Sequence, residues 1–189
     1  MLIPPPKKRP PFTHSWWVTD QLLAGPYPGD ADERTAERKL NSILESGVTV
    51  FVNLQEPDEL GMGRETFIDY RPIVRRLNDG TGIDPVFHRF PIPDMGVTSS
   101  ETILEILNRI DEAYASGRGV YVHCWGGHGR TGMIVGCWLV RHGLTAGQAL
   151  KRLTELRKHD SYLRYMESPQ TRAQARVIRR WTEEGRFEV

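Results

Sequence analysis

Cys124 and Arg130 stand six positions apart, and the loop between them contains Gly126, Gly127 and Gly129. A cysteine is a strong nucleophile when its thiol is ionised, and a helix N-terminus or a neighbouring arginine favours the ionised form. An arginine also offers a planar fork of donors that holds two oxygens of a phosphoryl group, which a lysine cannot do. The spacing therefore predicts nucleophilic chemistry on a phosphoryl group.

The segments beside this loop can position its backbone. Val120–Val122 predicts a short buried strand, and the apolar residues that follow the loop predict a helix over Arg130–His142. Backbone amides that converge at a helix N-terminus bind anions, because the helix dipole is positive there. We therefore expect a phosphate-binding loop made of Trp125, Gly126, Gly127, His128, Gly129 and Arg130.

Three further residues belong to this region. Thr131 can place its hydroxyl near the sulfur, where it would stabilise the thiolate before attack and as a leaving group. His123 is expected to organise the loop through ring hydrogen bonds, because a thiolate that is already ionised needs no base. Cys137, two turns into the helix, is interpreted as a core residue, and a redox role for it stays open.

The sequence His123-Cys124-x-x-Gly127-x-x-Arg130-Thr131-Gly132 resembles the signature of the cysteine-dependent protein tyrosine and dual-specificity phosphatases. Every fixed position matches, and the interior of the loop is most similar to the kinase-associated phosphatase type and to related compact bacterial enzymes. The resemblance implies a phosphomonoester hydrolase that works through a cysteinyl-phosphate intermediate. It also implies the fold of that superfamily.

A proton donor is predicted at Asp94, thirty residues before Cys124. It follows a strand predicted at Val86–Phe90 and precedes a capping-box pattern at Thr98–Glu101, so it lies on a loop. The leaving oxygen of a phosphate ester needs a proton, and the resemblance implies a carboxylic acid on such a loop. Three other acids are weaker candidates. Glu101 is better explained as part of a helix cap, Asp84 as a turn residue before Pro85, and Asp111 as a residue of a solvated helix face.

The resemblance also implies a polar side chain that orients the water for hydrolysis of the intermediate. Ser168 is predicted as the N-cap of a helix with Pro169 at its first position. Gln174 is the residue that we align with the water-orienting group, and Gln170 is the second candidate. Two exposed glutamines on a helix are the alternative interpretation.

Strands alternate with helices along the chain, which predicts an α/β fold with a central, mostly parallel sheet flanked by helices on both faces. Ligands of such sheets bind at the carboxyl ends of the strands. Besides the elements above, the pattern predicts a hairpin (Ser15–Val18 with Gln21–Ala24), helices at Ala31–Glu45, Glu65–Leu77 and Ser100–Ala115, a strand at Val48–Leu54, an acidic loop at Gln55–Gly63, and a helix capped by Thr145 and Gln148.

The composition fits a single domain. The chain has 189 residues, 39% hydrophobic and 26% charged, which can bury a core without disulfides or metals. We expect a proline-rich extended segment at residues 1–12 and a catalytic domain at residues 13–189. A net charge of +1 disfavours nucleic-acid and membrane partners, and neither a signal peptide nor a spanning segment is expected.

Two cysteines, one of them in the loop, fit a reducing compartment, so we expect a cytoplasmic protein. We also expect a monomer. No cofactor and no metal are predicted, because His88, His123 and His142 lack metal-ligand spacing with Cys124.

The predicted substrate is phosphotyrosine in proteins, with phosphoserine and phosphothreonine as further protein substrates. One alternative is a non-protein substrate, namely an inositol phosphate, a phosphoinositide or an RNA 5′-triphosphate. The loop lacks the lysines that phosphoinositide phosphatases tend to carry, and the chain lacks the basic excess expected for RNA. The other alternative, a catalytically silent phosphate-binding module, would normally have lost the cysteine, the arginine or the aspartate.

Overall fold

The computed structural model describes residues 3–61 and 66–182 of the chain. Its strands are β1 (Trp16–Trp17), β2 (Leu22–Gly25), β3 (Val48–Asn53), β4 (Val86–Arg89) and β5 (Gly119–His123). Its helices are α1 (Glu33–Glu45), α2 (Arg71–Leu77), α3 (Ser100–Ala115), α4 (Arg130–Arg141), α5 (Ala146–Arg157) and α6 (Arg172–Arg180), with a 3-10 turn at Leu163–Tyr165 before α6.

The five strands form one sheet in the order β1-β2-β5-β3-β4. Only the β1–β2 pair is antiparallel; the other three pairs are parallel. β5 is central and fully buried, and its last residue, His123, is in register with Gly25 of β2 and Asn53 of β3. The loop that follows β5 therefore leaves the carboxyl edge at the middle of the sheet.

Helices cover both faces of the sheet. One hydrophobic core packs α3, α4, α5 and α6 against one face, and a second core packs α1 and α2 against the other. Side chains of β5 alternate between them, since Val120 and Val122 enter the first core and Tyr121 enters the second. The predicted α/β fold, with a mostly parallel sheet between two helical layers, is confirmed.

Several boundaries agree with the sequence because local signals specify them. α3 spans the predicted Ser100–Ala115, although Ser99, not Thr98, is its N-cap and accepts from the Thr102 amide. Thr145 and Gln148 form the predicted capping box of α5. Both helices carry an apolar stripe on a polar background, the pattern that makes a helix predictable from sequence.

The start of α2 was predicted wrongly. The predicted helix began at Glu65, which lies outside the described residues, whereas α2 begins at Arg71. Pro72 occupies the first turn of this helix, where no backbone N–H is needed for a hydrogen bond within the helix. A helix that began six residues earlier would place Pro72 in the interior, where each residue donates its N–H to a carbonyl of the preceding turn. Asp69, just before the helix, accepts from the Arg71 amide and guanidinium.

The start of α6 was also predicted wrongly. Ser168 does not cap it; Thr171 is the N-cap, and α6 begins at Arg172. Thr171 and Gln174 satisfy each other's backbone amides in a capping box, a stronger signal than a serine followed by proline. The Ser168 hydroxyl instead donates to the His128 carbonyl at 2.7 Å.

The proline-rich N-terminal segment lies against the rest of the chain from residue 3 onwards. The Lys7 amide donates to Asp20, the Trp17 indole donates to the Arg9 carbonyl, and the Phe12 ring meets Tyr121 edge to face. Within residues 3–61 and 66–182, we find no helix with the length and apolar character needed to span a bilayer.

Candidate active site

The loop from Cys124 to Gly129 joins β5 to α4 and forms the floor of a cavity of about 300 Å³. Gly129 is the N-cap of α4, so the loop ends at the positive end of a 12-residue helix. The cavity is lined by Asp94, Cys124, Trp125, Gly126, His128, Gly129, Arg130, Tyr162, Met166 and Gln170. The structure thus brings together most of the residues that the sequence singled out.

The carbonyl groups of the loop are held by donors around it. The Tyr27 amide donates to Trp125, the Trp16 indole donates to Gly127, and the Ser168 hydroxyl donates to His128. Because a trans peptide points its N–H opposite to its carbonyl, the amides of the following residues face the other side. Those amides, from Gly126, His128 and Gly129, can converge on an anion in the cavity.

Two glycines allow this packing. Gly127 has a positive φ of 74°, and a side chain there would collide with the backbone of Gly25 and Pro26. Gly132, in the first turn of α4, leaves room for the Ser168 side chain. The loop can therefore lie directly on the end of β2 and on the segment before α6.

Cys124 lies at the bottom of the cavity with its side chain almost fully buried. The Thr131 hydroxyl donates to its sulfur at 3.1 Å. This geometry suits a sulfur that carries negative charge, because a hydroxyl donor and a helix N-terminus both stabilise an anion.

Arg130 is fully buried, and its guanidinium is held from one side by Glu59. Both terminal nitrogens donate to that carboxylate, with Nη2 2.7 Å from Oε1, and Nη1 also donates to the Ile92 carbonyl at 3.0 Å. Burial alone would lower the pKa of the guanidinium, but Glu59, Cys124 and Asp94 together raise the pKa above its ordinary value. Arg130 is therefore a fixed cation beside the sulfur.

Glu59 is a residue of the site that sequence reasoning missed. It lies in the described part of the predicted acidic loop, which follows β3 at the carboxyl edge of the sheet; Met62 and Gly63 of that loop lie outside the described residues. A loop at the carboxyl edge of the sheet is where site residues are expected. However, Glu56 and Asp58 lie in the same loop, and only the contact with Arg130 distinguishes Glu59 from these two acids.

Asp94 lies at the cavity rim, on the segment between β4 and α3. Its Oδ1 is 3.0 Å from Nη2 of Arg130, and half of its side chain is exposed. The structure describes all four candidate acids from the sequence, and of these four Asp94 alone lines the cavity. Glu101 lies in the first turn of α3, the Asp84 carbonyl accepts from Arg118, and Asp111 binds Trp138, Arg141 and His142.

The two glutamines occupy different environments. Gln174 is fully buried; its Oε1 accepts from the Thr171 amide, and its Nε2 donates to the Gly96 carbonyl at 2.9 Å. Gln174 therefore ties α6 to the segment that carries Asp94. Gln170 lines the cavity with Cys124, so its side chain is the one of the two that faces the reacting centre.

His123 is fully buried beneath the loop. Its Nδ1 is 3.3 Å from the Cys124 carbonyl, and its Nε2 is 2.7 Å from the Tyr70 hydroxyl. A carbonyl can only accept, so Nδ1 carries the proton and the neutral ring accepts from Tyr70 at Nε2. Burial lowers the pKa of His123 to about 3, so the ring stays neutral at physiological pH.

This burial makes the protein less stable in acid. Between the ordinary pKa of 6.5 and the folded value of about 3, the unfolded chain binds a proton at His123 that the folded chain does not. Stability therefore falls as the pH falls through this window. At two pH units below 6.5 the expected loss is about 3 kcal/mol, from 1.36 kcal/mol per unit.

The measurement is urea unfolding of wild type and His123→Asn at neutral pH and about two units below 6.5. The variant should lose about 3 kcal/mol less than wild type between the two conditions. Tyr70→Phe is the control, because it removes the Tyr70 hydroxyl but keeps the His123 ring buried. It should show the same loss of stability in acid as wild type. Equal losses in wild type and His123→Asn would contradict the assignment.

Comparison with known proteins gives a consistent match. Residues 29–144 match the family model described as a polymorphic toxin system DSP-PTPase phosphatase. The chain is 31% identical over 176 residues to the protein tyrosine phosphatase domain-containing protein 1 of Mus musculus. That alignment covers 90% of this chain but 22% of the mouse protein, so the chain spans about a fifth of the length of that relative.

Two solved structures show the same fold. A cysteine-to-serine variant of kinase associated phosphatase superposes with a TM-score of 0.70, at 18% identity, over 96% of this chain and 97% of that chain. The active form of Tk-PTP superposes with a TM-score of 0.64, at 24% identity, over 93% and 98% of the two chains. The family model spans Asp94, Cys124 and Arg130, whereas Gln170 and Gln174 lie beyond it.

Proposed function

Because the chain belongs to the DSP-PTPase phosphatase family, we propose that it is a protein phosphatase that hydrolyses phosphotyrosine through a cysteinyl-phosphate intermediate. Phosphoserine and phosphothreonine are the other protein substrates to be tested. One observation carries the proposal: Cys124, Arg130 and Asp94 line one cavity, with the Thr131 hydroxyl donating to the sulfur.

The first step transfers the phosphoryl group to sulfur. The Cys124 thiolate attacks phosphorus, a P–S bond forms, and the bond to the ester oxygen breaks. Three loop amides and the Arg130 fork hold the non-bridging oxygens, on which charge is spread in the transition state. Asp94, in its protonated form, gives its proton to the departing oxygen.

The second step releases phosphate. Water attacks phosphorus, the P–S bond breaks, and the Asp94 carboxylate takes the proton of the water, so that the acid is regenerated. Thr131 stabilises the departing thiolate with its hydroxyl. Gln170 is the side chain that we assign to orienting the water. For Gln174 we propose a positioning role, because its amide already binds Gly96 and Thr171.

Replacing Asp94 with asparagine should slow turnover selectively. Loss of general-acid catalysis typically costs about 10²- to 10⁴-fold in rate, and the loss falls on leaving groups that need a proton. Phosphotyrosine should therefore show the full loss, whereas an activated aryl phosphate, whose phenolate departs as an anion, should show much less. The measurement is kcat for wild type and Asp94→Asn across a series of aryl phosphates of increasing leaving-group pKa.

Asp84→Asn is the matched control. It makes the same change at an acid that precedes β4 and does not line the cavity, so its rates should equal those of wild type. A loss of the same size for every leaving group in Asp94→Asn would remove Asp94 from the acid role.

The protein-substrate assignment is supported by the cavity wall. No lysine is found among the described residues that line the cavity, and its charged groups are Arg130 and Asp94 beside the sulfur. A polyanionic headgroup or a triphosphate would need more cations. The test is kcat/KM for phosphotyrosine, phosphoserine and phosphothreonine peptides, inositol phosphates, phosphoinositide vesicles and RNA 5′-triphosphate. The phosphotyrosine peptide should give the highest value; a higher value for any non-protein substrate would contradict the assignment.

We further propose that the catalytic unit is residues 13–189, that it acts as a monomer in the cytoplasm, and that it needs neither cofactor nor metal. The free thiols of Cys124 and Cys137 support a reducing compartment. Burial raises the pKa of the Cys137 thiol, which supports a core role for that residue over a redox role.

A further inference from the structure

Tyr162 stands at the mouth of the catalytic cavity. It lines the same cavity as Cys124 and Trp125, and 51% of the residue is exposed to solvent. A half-exposed tyrosine ring that lines the same cavity as Cys124 offers aromatic surface with which a ligand can pack.

The position of Tyr162 is fixed by Asp160. The amides of Tyr162 and Leu163 donate to Asp160 Oδ1 at 2.9 and 2.8 Å. His14, from the N-terminal part of the chain, lies 3.0 Å from the same carboxylate through Nδ1, and its ring centroid is 5.0 Å from that of Tyr162. Burial alone would raise the pKa of Asp160, but these hydrogen bonds outweigh it and lower the pKa below its ordinary value.

The far end of the segment is held by Arg157. Its Nη2 donates to the carbonyls of Leu163 at 3.2 Å and Met166 at 3.0 Å, and Leu163 is buried in the core. Met166 lines the cavity as well. The segment is therefore anchored on both sides of Tyr162, so a ligand that meets this ring need not first order the loop.

Tyr165 provides an internal comparison. It lies three residues further along the same segment and is 80% exposed, but it does not line the cavity. The same residue type therefore occurs twice in one segment, once beside the sulfur and once away from it.

We propose that Tyr162 forms an aryl-binding subsite, which packs against the phenyl ring of a phosphotyrosine side chain and selects aryl over alkyl phosphates. This inference deepens the proposed function and rests on it, because both concern the same cavity. Aromatic pairs contribute enough to change affinity by roughly 2- to 10-fold beyond simple burial.

Calorimetric binding of phenylphosphonate and of inorganic phosphate to the full chain tests the subsite without turnover. Tyr162→Ala should weaken phenylphosphonate by about 5- to 10-fold and leave phosphate unchanged, because only the first ligand has a ring. Tyr162→Phe should keep the wild-type affinity for both ligands, since it keeps the ring. Tyr165→Ala is the matched control and should also leave both affinities unchanged.

Two results would overturn the subsite: equal weakening of both ligands by Tyr162→Ala, which indicates a structural role, or no weakening of either. Failure of the proposed function is a separate result. If phenylphosphonate binding depends on Tyr162 but wild type hydrolyses no aryl phosphate, the subsite stands and the catalytic proposal falls.

Discussion

Replacing Cys124 with serine is expected to reduce the turnover of aryl phosphates by roughly 10⁴-fold or more, as removal of a nucleophile typically does. Serine is nearly isosteric, but its hydroxyl is not ionised at neutral pH, and neither Thr131 nor the N-terminus of α4 can supply the missing base. The fold should be retained, since the side chain changes by one atom. The measurement is kcat for wild type and variant with a chelator present.

Cys137→Ser is the matched control for this variant. Cys137 is buried in α4 and does not line the cavity, so its replacement should leave turnover near the wild-type value. Vanadate, which mimics the trigonal bipyramidal phosphorus, should inhibit wild type. Turnover that persisted in Cys124→Ser would exclude the cysteine mechanism.

Replacing Arg130 with lysine is expected to lower kcat by about 10³-fold or more, a loss of about 4 kcal/mol in transition-state stabilisation. Lysine keeps the positive charge but has one nitrogen in place of a planar fork. That nitrogen cannot bridge both oxygens of Glu59, donate to the Ile92 carbonyl and hold a phosphoryl group together. Because the fixed planar fork should match the oxygens of the trigonal bipyramidal phosphorus better than those of the bound ester, the loss should appear in kcat more than in KM.

Arg164→Lys, on the exposed segment beside Tyr162, is the matched control for the same change outside the cavity. It should keep wild-type kinetics. Circular dichroism should establish that both variants are folded, since Arg130 is buried and its replacement also perturbs the contact with Glu59. An Arg130→Lys enzyme that retained most of its kcat would contradict the role of the bidentate geometry.

Most of the fold can be predicted from local signals in the sequence. The helix at Ser100–Ala115 is predictable because its hydrophobic period and its N-terminal cap agree. The strand β5 is predictable because it is a short apolar run that ends at a glycine-rich loop. The two helix starts that are predicted wrongly, at Glu65 and after Ser168, each lie close to a stronger start signal. Pro72 and the Thr171–Gln174 capping box are both present in the sequence, and each marks the start of its helix.

Some residues of the site can be predicted from the sequence and others cannot. Cys124, Arg130 and Thr131 are close in sequence, so one loop geometry fixes them all. Glu59 and Tyr162 approach that loop from segments more than thirty residues away, and their contacts depend on how β3 and the segment after α5 pack. No periodicity or spacing encodes such contacts. Gln170 and Gln174 could not be separated from the sequence, because the true start of α6 decides which side chain faces the cavity.

In the proposed mechanism the phosphoryl group passes through the sulfur of Cys124. Rapid acid quench of the Asp94→Asn enzyme during turnover of an activated aryl phosphate, followed by mass spectrometry of its peptides, tests it directly. The expected result is one added phosphoryl group on the peptide that contains Cys124, because loss of the Asp94 carboxylate slows hydrolysis of the intermediate. A phosphoryl group on any other side chain, or none on Cys124 while product forms, would contradict the account.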